Sequence, residues 1–284
     1  MKESTKHFGL IGHPLGHSIS PQIHERLFNL SGIDGRYSLY DIGPDDLAAQ
    51  ADLMRNLDGF NVTIPYKRDI VPFLQSVSER AGRCGAVNTV KCGGGAMHGY
   101  NTDSIGFLRA LEGEGINIQG RVLLCGTGGA ARMMACEVLE RGCRLVIAAR
   151  DISKAQSAKR DLKEIFSGAD IETKKLSDID SGFDLVLNGT PAGMYPHADA
   201  SPLKPGIIGK SASVFDAIYN PIETTLIKEA KAAGAKAAGG LPMLVWQAAA
   251  AQEIWTGAHF NVKDILNLTI EMKELVSSQY GSNE

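Results

Sequence analysis

Short apolar runs bounded by turn residues alternate with stretches whose apolar side chains recur every three to four positions, a rhythm that predicts an α/β chain. Phe8 to Ile11 reads as a first strand, followed by the turn-rich Gly12-His13-Pro14-Leu15-Gly16. Ser20-Pro21 then opens a helix, Ser20 as cap and Pro21 at the first position, with Ile23, Leu27 and Leu30 at helical spacing and Gly32 ending the run. A strand over Tyr37 to Tyr40 and a helix over Asp45 to Asn56, with Leu47, Ala51 and Met54 inward, continue the pattern. Gly59 to Lys67 is a strand running into a proline turn. Cys84 to Val90 is a further short strand, ahead of the hairpin-like Gly93-Gly94-Gly95. His98 to Gly106 opens a helix with Ile105, Leu108 and Leu111 on one face.

The second half repeats the rhythm more strictly. Val122 to Cys125 is a short apolar run that predicts a fully buried strand of a parallel sheet. Gly126, Gly128 and Ala131 behind it fit the G-x-G-x-x-A form of the dinucleotide fingerprint, whose glycines let backbone approach a pyrophosphate at a helix N-terminus. Taken singly, such a cluster is also a plain strand-to-helix turn. Arg144 to Ala149, a helix from Ser153, and strands near Ile171 to Leu176, Asp184 to Leu187 and Val214 to Ile218 follow. Asn220 and Pro221 read as cap and first position of the next helix, which Gly234 closes. Gly239 to Pro242 marks a hinge before the helical run Met243 to Trp255. Asn261 caps a last helix with Ile265, Leu268, Met272 and Leu275 on one side, and the polar tail from Ser277 to Glu284 reads as frayed.

At 284 residues the chain is long for one small core, and two domains are the natural reading; 44% hydrophobic residues suffice to bury both. A formal net charge of -3 gives no electrostatic case for nucleic acid. The five cysteines show neither C-x-x-C spacing nor neighbouring histidine pairs, so no metal site or disulfide framework is expected. With no long apolar segment to span a bilayer, a soluble cytoplasmic protein without a membrane partner is expected.

Polar residues at strand ends and helix starts carry the candidate chemistry. Ser18 and Ser20 lie one residue apart at a helix start, where two hydroxyls and the helix dipole suit a carboxylate; the plain reading of Ser20 is the cap alone. Asn61 and Thr63 share one strand face, and Lys67 just beyond Pro65 is either a solvated surface lysine or a site cation. Asn88 is a turn amide or a ligand, and Asp103 an N-cap or a site carboxylate.

Together these stretches resemble the shikimate dehydrogenase family, in the family's order and over nearly the whole chain. The matching segments are Gly12 to Pro21, Asn61 to Lys67, Ala86 to Thr89, Gly99 to Asp103, Gly126 to Ala130, Asn188 to Met194 and Gly240 to Gln247. The resemblance implies two α/β domains with the active-site cleft between them. One is a discontinuous substrate-binding domain with a mostly parallel sheet, residues 1–104 with C-terminal helices 240–284 returning to it. The other is a Rossmann-like, doubly wound NADP-binding domain, residues 105–239. It further implies reversible NADPH-dependent reduction of 3-dehydroshikimate to shikimate, a step towards chorismate and the aromatic amino acids, without a metal, in a monomer or homodimer. Lys67 and Asp103 become the proton-transfer pair, and Ser18, Ser20, Asn61, Thr63, Asn88, Tyr219 and Gln247 the substrate contacts. The implied cofactor contacts are Gly126, Gly128, Gly129, Ala130, Arg150, Lys154, Thr190, Met194, Ala217 and Gly240. Arg150 and Lys154 favour the 2′-phosphate of NADP, while Asp151 keeps open a quinate/shikimate dehydrogenase that uses NAD. A non-catalytic NADP-binding regulatory module is the alternative from another class; the presence of Lys67, Asp103 and both serines argues against it.

Overall fold

A computed structural model describes residues 5–16 and 18–280, the side chain of Tyr280 apart. His17 of the first motif and residues 281–284 of the tail lie outside the described residues. The chain divides into two compact units, Met1–Gly106 with Val245–Thr269, and Phe107–Leu244 with Ile270–Glu284.

The first unit is built on a six-stranded sheet of β1 (Lys6–Gly12), β2 (Gly35–Asp41), β3 (Gly59–Val62), β4 (Ser76–Val77), β5 (Thr89–Gly93) and β6 (Ala96–Tyr100), in the order β2-β1-β3-β5-β6-β4. β1 pairs in parallel with β2 and β3, and β4 with β6, whereas β3–β5 and the hairpin β5–β6 are antiparallel. Helices α1 (Ser20–Ser31), α2 (Ala51–Arg55) and α3 (Glu79–Cys84) connect the strands, and α4 (Asp103–Gly113) follows β6. Met54, Phe60, Val62 and Tyr66 lie in one buried cluster and Phe8, Phe28 and Trp255 in another. Gly59 has to be glycine because a Cβ there would come within 2.4 Å of the Trp255 indole. The indole in turn donates to the Val90 carbonyl at 2.9 Å.

The second unit holds β7 (Arg121–Cys125), β8 (Arg144–Ala149), β9 (Ile171–Lys175), β10 (Leu185–Asn188), β11 (Ser213–Asp216) and β12 (Lys236–Ala238), all parallel, in the order β12-β11-β10-β7-β8-β9. Counted from β7, this is the doubly wound dinucleotide-binding order, with its switch point between β7 and β10. Leu123, Cys125, Val146, Val186 and Val214 are fully buried, which is why these strands read as unbroken apolar runs. α5 (Gly129–Glu140), α6 (Ile152–Ile165) and α7 (Thr225–Ala232) make the crossovers, and α8 (Gly240–Thr256) and α9 (Val262–Tyr280) close the chain. None of the described helices is long and apolar enough to cross a membrane.

Several expected elements shift. The helix expected over Asp45 to Asn56 is a 3-10 turn at Ala48–Gln50 followed by α2, since the Gln50 N–H reaches only back to Leu47. Cys84 ends α3, and the strand expected from it begins only at Thr89. β4 and β12, two and three residues long, carry too little pattern to read. α7 starts at Thr225 rather than at Pro221, because the hydroxyl of Thr224 accepts the Ile227 N–H and so caps the helix four residues later than expected. Gly240 to Pro242 form the first turn of α8, where a proline lacks no hydrogen bond the helix needs. Ser277 to Tyr280 continue α9 instead of fraying, and the Asp264 N–H donates to the side chain of Asn261, the expected cap.

Candidate active site

Ile19 and not Ser20 stands at the N-cap of α1 and makes no side-chain cap bond, so the capping role expected of Ser20 is not taken up. The helix begins at Ser20 itself, whose N–H donates to the Ser18 hydroxyl at 3.3 Å. The two hydroxyls lie 3.1 Å apart. They form a small polar pair at the foot of the helix. Thr63, just beyond β3, is half-buried with its methyl against Gly12, where a Cβ would come within 2.3 Å.

Lys67 and Asp103 are brought together although 36 residues separate them, Nζ donating to Oδ2 at 2.5 Å. Their side chains are only 16% and 10% exposed, so the pair is shielded from the screening that weakens surface ion pairs. Asp103 is not the N-cap of α4; the Asn101 side chain accepts the Ser104 N–H instead, which leaves the carboxylate for other partners. Asn88 supplies one, its Nδ2 donating to Asp103 Oδ1 at 2.7 Å. The same amide lies 3.4 Å from Gln247 Oε1, so the residue leading into β5, α4 and α8 meet at one point. Asn61 belongs to the same network, with Nδ2 donating to the Asn88 carbonyl and the Thr89 hydroxyl and Oδ1 accepting from Tyr37. Both its donor hydrogens are already engaged within the protein, so a substrate hydroxyl would have to approach it as a donor. Sequence reasoning missed Thr89, Thr102 and Tyr37. The first two stand inside recognised motifs but look like ordinary strand and turn residues, and Tyr37 looks like any aromatic in a strand.

The second unit supplies the loop expected to hold a dinucleotide. Gly126 has φ +104°, and a Cβ on it would meet Thr190 at 2.9 Å and the Gly189 carbonyl at 3.0 Å, so this turn admits only glycine. Gly128, the N-cap of α5, is exposed with open space around it, leaving backbone free for a close-approaching pyrophosphate. Ala131 is small because Gly189 packs on it; a Cβ at Gly189 would meet that of Ala131 at 2.9 Å. Gly240 likewise lies against Ala217, whose carbonyl would be 2.2 Å from an added Cβ. Gly129 and Ala130 form the first turn of α5, and Thr190 follows the Asn188 amide, which accepts the Thr190 N–H at 3.0 Å. Arg150 and Lys154 are exposed beyond the tip of β8, Met194 is exposed in the loop after β10, and Tyr219 is half-buried after β11.

Asp151, the residue that speaks for NAD, is engaged locally. Its Oδ1 accepts the N–H of Ser153 at 2.9 Å and its hydroxyl at 2.7 Å, capping α6, and these bonds hold the carboxyl below its usual range. Sequence reasoning also passed over Asp216, at the end of β11. It accepts from the Asn188 amide at 2.9 Å, the Ile218 N–H at 3.1 Å and the Thr224 hydroxyl at 2.6 Å. Burial nevertheless raises its pKa from 3.8 to about 6.

The family model for the shikimate dehydrogenase substrate-binding domain matches residues 10–90, and that for the shikimate 5′-dehydrogenase C-terminal domain residues 240–268. Over 274 residues the chain is 40% identical to a shikimate dehydrogenase (NADP(+)) of Methanocaldococcus jannaschii, covering 94% of this chain and 97% of that one. Among solved structures, a shikimate dehydrogenase in complex with NADP+ superposes with a TM-score of 0.86 at 38% identity, covering 94% of this chain and 96% of that one. The shikimate 5-dehydrogenase of Thermus thermophilus, in complex with NADP(H) and shikimate, gives 0.81 at 33% identity over 94% of this chain and 99% of that one.

Proposed function

The chain belongs to the shikimate dehydrogenase family, and on that premise we propose that it catalyses the reversible NADPH-dependent reduction of 3-dehydroshikimate to shikimate. The observation that carries this reading is the Lys67–Asp103 ion pair, held in a buried network of amides and hydroxyls rather than at the surface. A binding module has no need of such a pair. A ketone reduction does, because the oxygen that becomes an alcohol must receive a proton as its carbon is reduced.

The residues around the glycine loop fit a dinucleotide. Gly126 and Gly128 open the backbone to a pyrophosphate at the start of α5, and Gly129 and Ala130 present first-turn N–H groups there. Arg150 and Lys154 stand where a 2′-phosphate needs cations, and Asp151, bound by Ser153, is spent on its own helix; both favour NADP over NAD. When bound, the cofactor supplies the hydride.

Everything else falls to the chain. Ser18 and Ser20 offer hydroxyl donors to the substrate carboxylate, with the dipole of α1 behind them. Asn61, Thr63, Asn88, Tyr219 and Gln247 meet the ring and its hydroxyls. Such a set of polar groups rejects analogues that leave them unpaired. Lys67 delivers a proton to the developing alkoxide during reduction and takes it back during oxidation, while Asp103 holds the ammonium in place and shares the proton as one coupled unit. Residues 1–104 and 240–284 act as the substrate half and residues 105–239 as the cofactor half of a cytoplasmic enzyme.

Initial rates of absorbance change at 340 nm test the reading, with shikimate or quinate and NADP+ or NAD+ in all four combinations. Shikimate with NADP+ is expected to be the fastest pair by at least tenfold. Cofactor binding with no absorbance change on any pair would point to a regulatory module, and a faster rate with quinate and NAD+ to the related dehydrogenase.

A further inference from the structure

We propose that Thr89, with Tyr37 behind it, is a positioning residue that joins the Asn61 and Asn88 amides into one hydrogen-bond polarity and so steadies the Asn88 amide against Asp103. This rests on the reading of Lys67 and Asp103 as the proton-transfer pair.

Two backbone groups set the orientation of the two amides. The Asn88 carbonyl can only accept, so the Asn61 group 3.2 Å from it is Nδ2, and Oδ1 is turned towards Tyr37. The Tyr37 hydroxyl, 2.8 Å away, therefore donates. Burial supports that role by raising the phenol pKa and keeping its proton in place. At the other end, the Thr102 N–H can only donate, so it is Asn88 Oδ1 that lies 2.7 Å from it. Asn88 Nδ2 is then left to face Asp103.

Thr89 stands between the two pinned amides. Its hydroxyl accepts from Asn61 Nδ2 at 3.0 Å, so its one proton must go forward, either to Asn88 Oδ1 at 3.1 Å or to the Thr102 hydroxyl at 2.9 Å. The second route also leads away from Asn61, because the Thr102 hydroxyl reaches Asn88 Oδ1 at 3.2 Å and Gln247 Oε1 at 3.5 Å. Protons thus point from Tyr37 through Asn61, Thr89 and Asn88 to Asp103, whose two oxygens receive Asn88 on one side and Lys67 on the other. Thr89 and Thr102 are fully buried, and Tyr37 stacks on the fully buried His24 ring at 4.0 Å and 8°. In so buried a place, an Asn88 amide that turned over would set donor against donor at Thr102.

The bland alternative is that Thr89 merely fills a strand position with a β-branched side chain. Two substitutions separate the ideas. Thr89→Val keeps the shape and deletes the hydroxyl; Thr89→Ser keeps the hydroxyl and deletes the methyl. Positioning predicts that Thr89→Val lowers kcat by about tenfold with KM for shikimate changed less than about threefold, and that Thr89→Ser stays within about threefold of wild type. Tyr37→Phe, which preserves the stack on His24, lowers kcat in the same direction by a smaller factor. A kcat that survives in Thr89→Val and falls in Thr89→Ser overturns the proposal. A second readout needs no turnover: the side-chain amide protons of Asn88, followed by NMR, should be slow to exchange in wild type and Thr89→Ser and fast in Thr89→Val. Unchanged exchange in Thr89→Val also overturns it. A wild-type protein that fails to oxidise shikimate removes the functional reading, while the exchange measurement still decides the role of Thr89.

Discussion

Lys67 shows how much one residue's surroundings change its meaning. In the sequence it is a lysine after a proline turn; in the fold it is a largely buried ammonium bonded to Asp103 at 2.5 Å. Lys67→Ala is expected to lower kcat by about 10²- to 10⁴-fold, the range for removal of a general acid–base group, with KM for shikimate changed only severalfold. It also strands a buried carboxylate, which costs about 3–5 kcal/mol when one partner of a buried pair is removed, so the kinetics should be read well below a lowered melting temperature. Near wild-type turnover in the folded variant would rule out the assignment. The pair was legible because both residues stand in recognised motifs. Thr89, Thr102 and Tyr37 were not, because what matters about them is the direction of a hydroxyl proton between two amides, and nothing in a strand pattern encodes that.

At the scale of elements, the strands of the second unit could be read because parallel strands buried on both faces appear as continuous apolar runs; Arg144 to Ala149 is the same segment in sequence and structure. The start of α7 could not, because it is set by a cluster remote in sequence: Thr224 accepts from Ile227 and donates to Asp216, which also holds the Asn188 amide beside Thr190. That cluster has a pH signature. Asp216 titrates at about 6 in the folded protein against 3.8 for an unperturbed aspartate, so the native form holds its proton more tightly. Its stabilising contribution is complete below pH 3.8 and is lost as pH rises through 6, about 3 kcal/mol in all. Asp216→Asn can keep the geometry, its carbonyl accepting from Asn188 and Ile218 and its amide donating to the Thr224 hydroxyl, but it cannot titrate. Denaturant unfolding followed by far-UV circular dichroism should therefore show the variant gaining on wild type by up to about 3 kcal/mol between pH 4 and pH 7. A pH-independent difference between the two would contradict this account of Asp216.

Across the whole molecule, the same chemistry gives one buried group in each unit an opposite response to acid. In the first unit His24 is fully buried, stacked on Tyr37 and bonded through Nδ1 and its backbone carbonyl to the Gln252 amide. Burial drives its pKa from 6.5 down to about 3, opposed only in part by the neighbouring Asn61 side chain. Here the unfolded chain binds the proton more tightly, so the stability His24 contributes is complete above pH 6.5 and is lost as pH falls towards 3, by roughly 5 kcal/mol in all. Between pH 6 and 4, then, His24 weakens its unit while Asp216 strengthens the other. Both tryptophans, Trp246 and Trp255, fall in the Val245–Thr269 segment of the first unit, so selectively excited tryptophan fluorescence reads that unit. His24→Phe retains a ring to stack on Tyr37 but cannot be protonated. The fluorescence unfolding midpoint of wild type is expected to drop steeply from pH 6.5 to pH 4.5, and that of His24→Phe to drop less. Asp216→Asn, in the other unit, should leave this fluorescence dependence as in wild type. Parallel acid responses in wild type and His24→Phe would mean that the buried imidazole is protonated without opening its unit, and the opposition between the two halves would have to come from other groups.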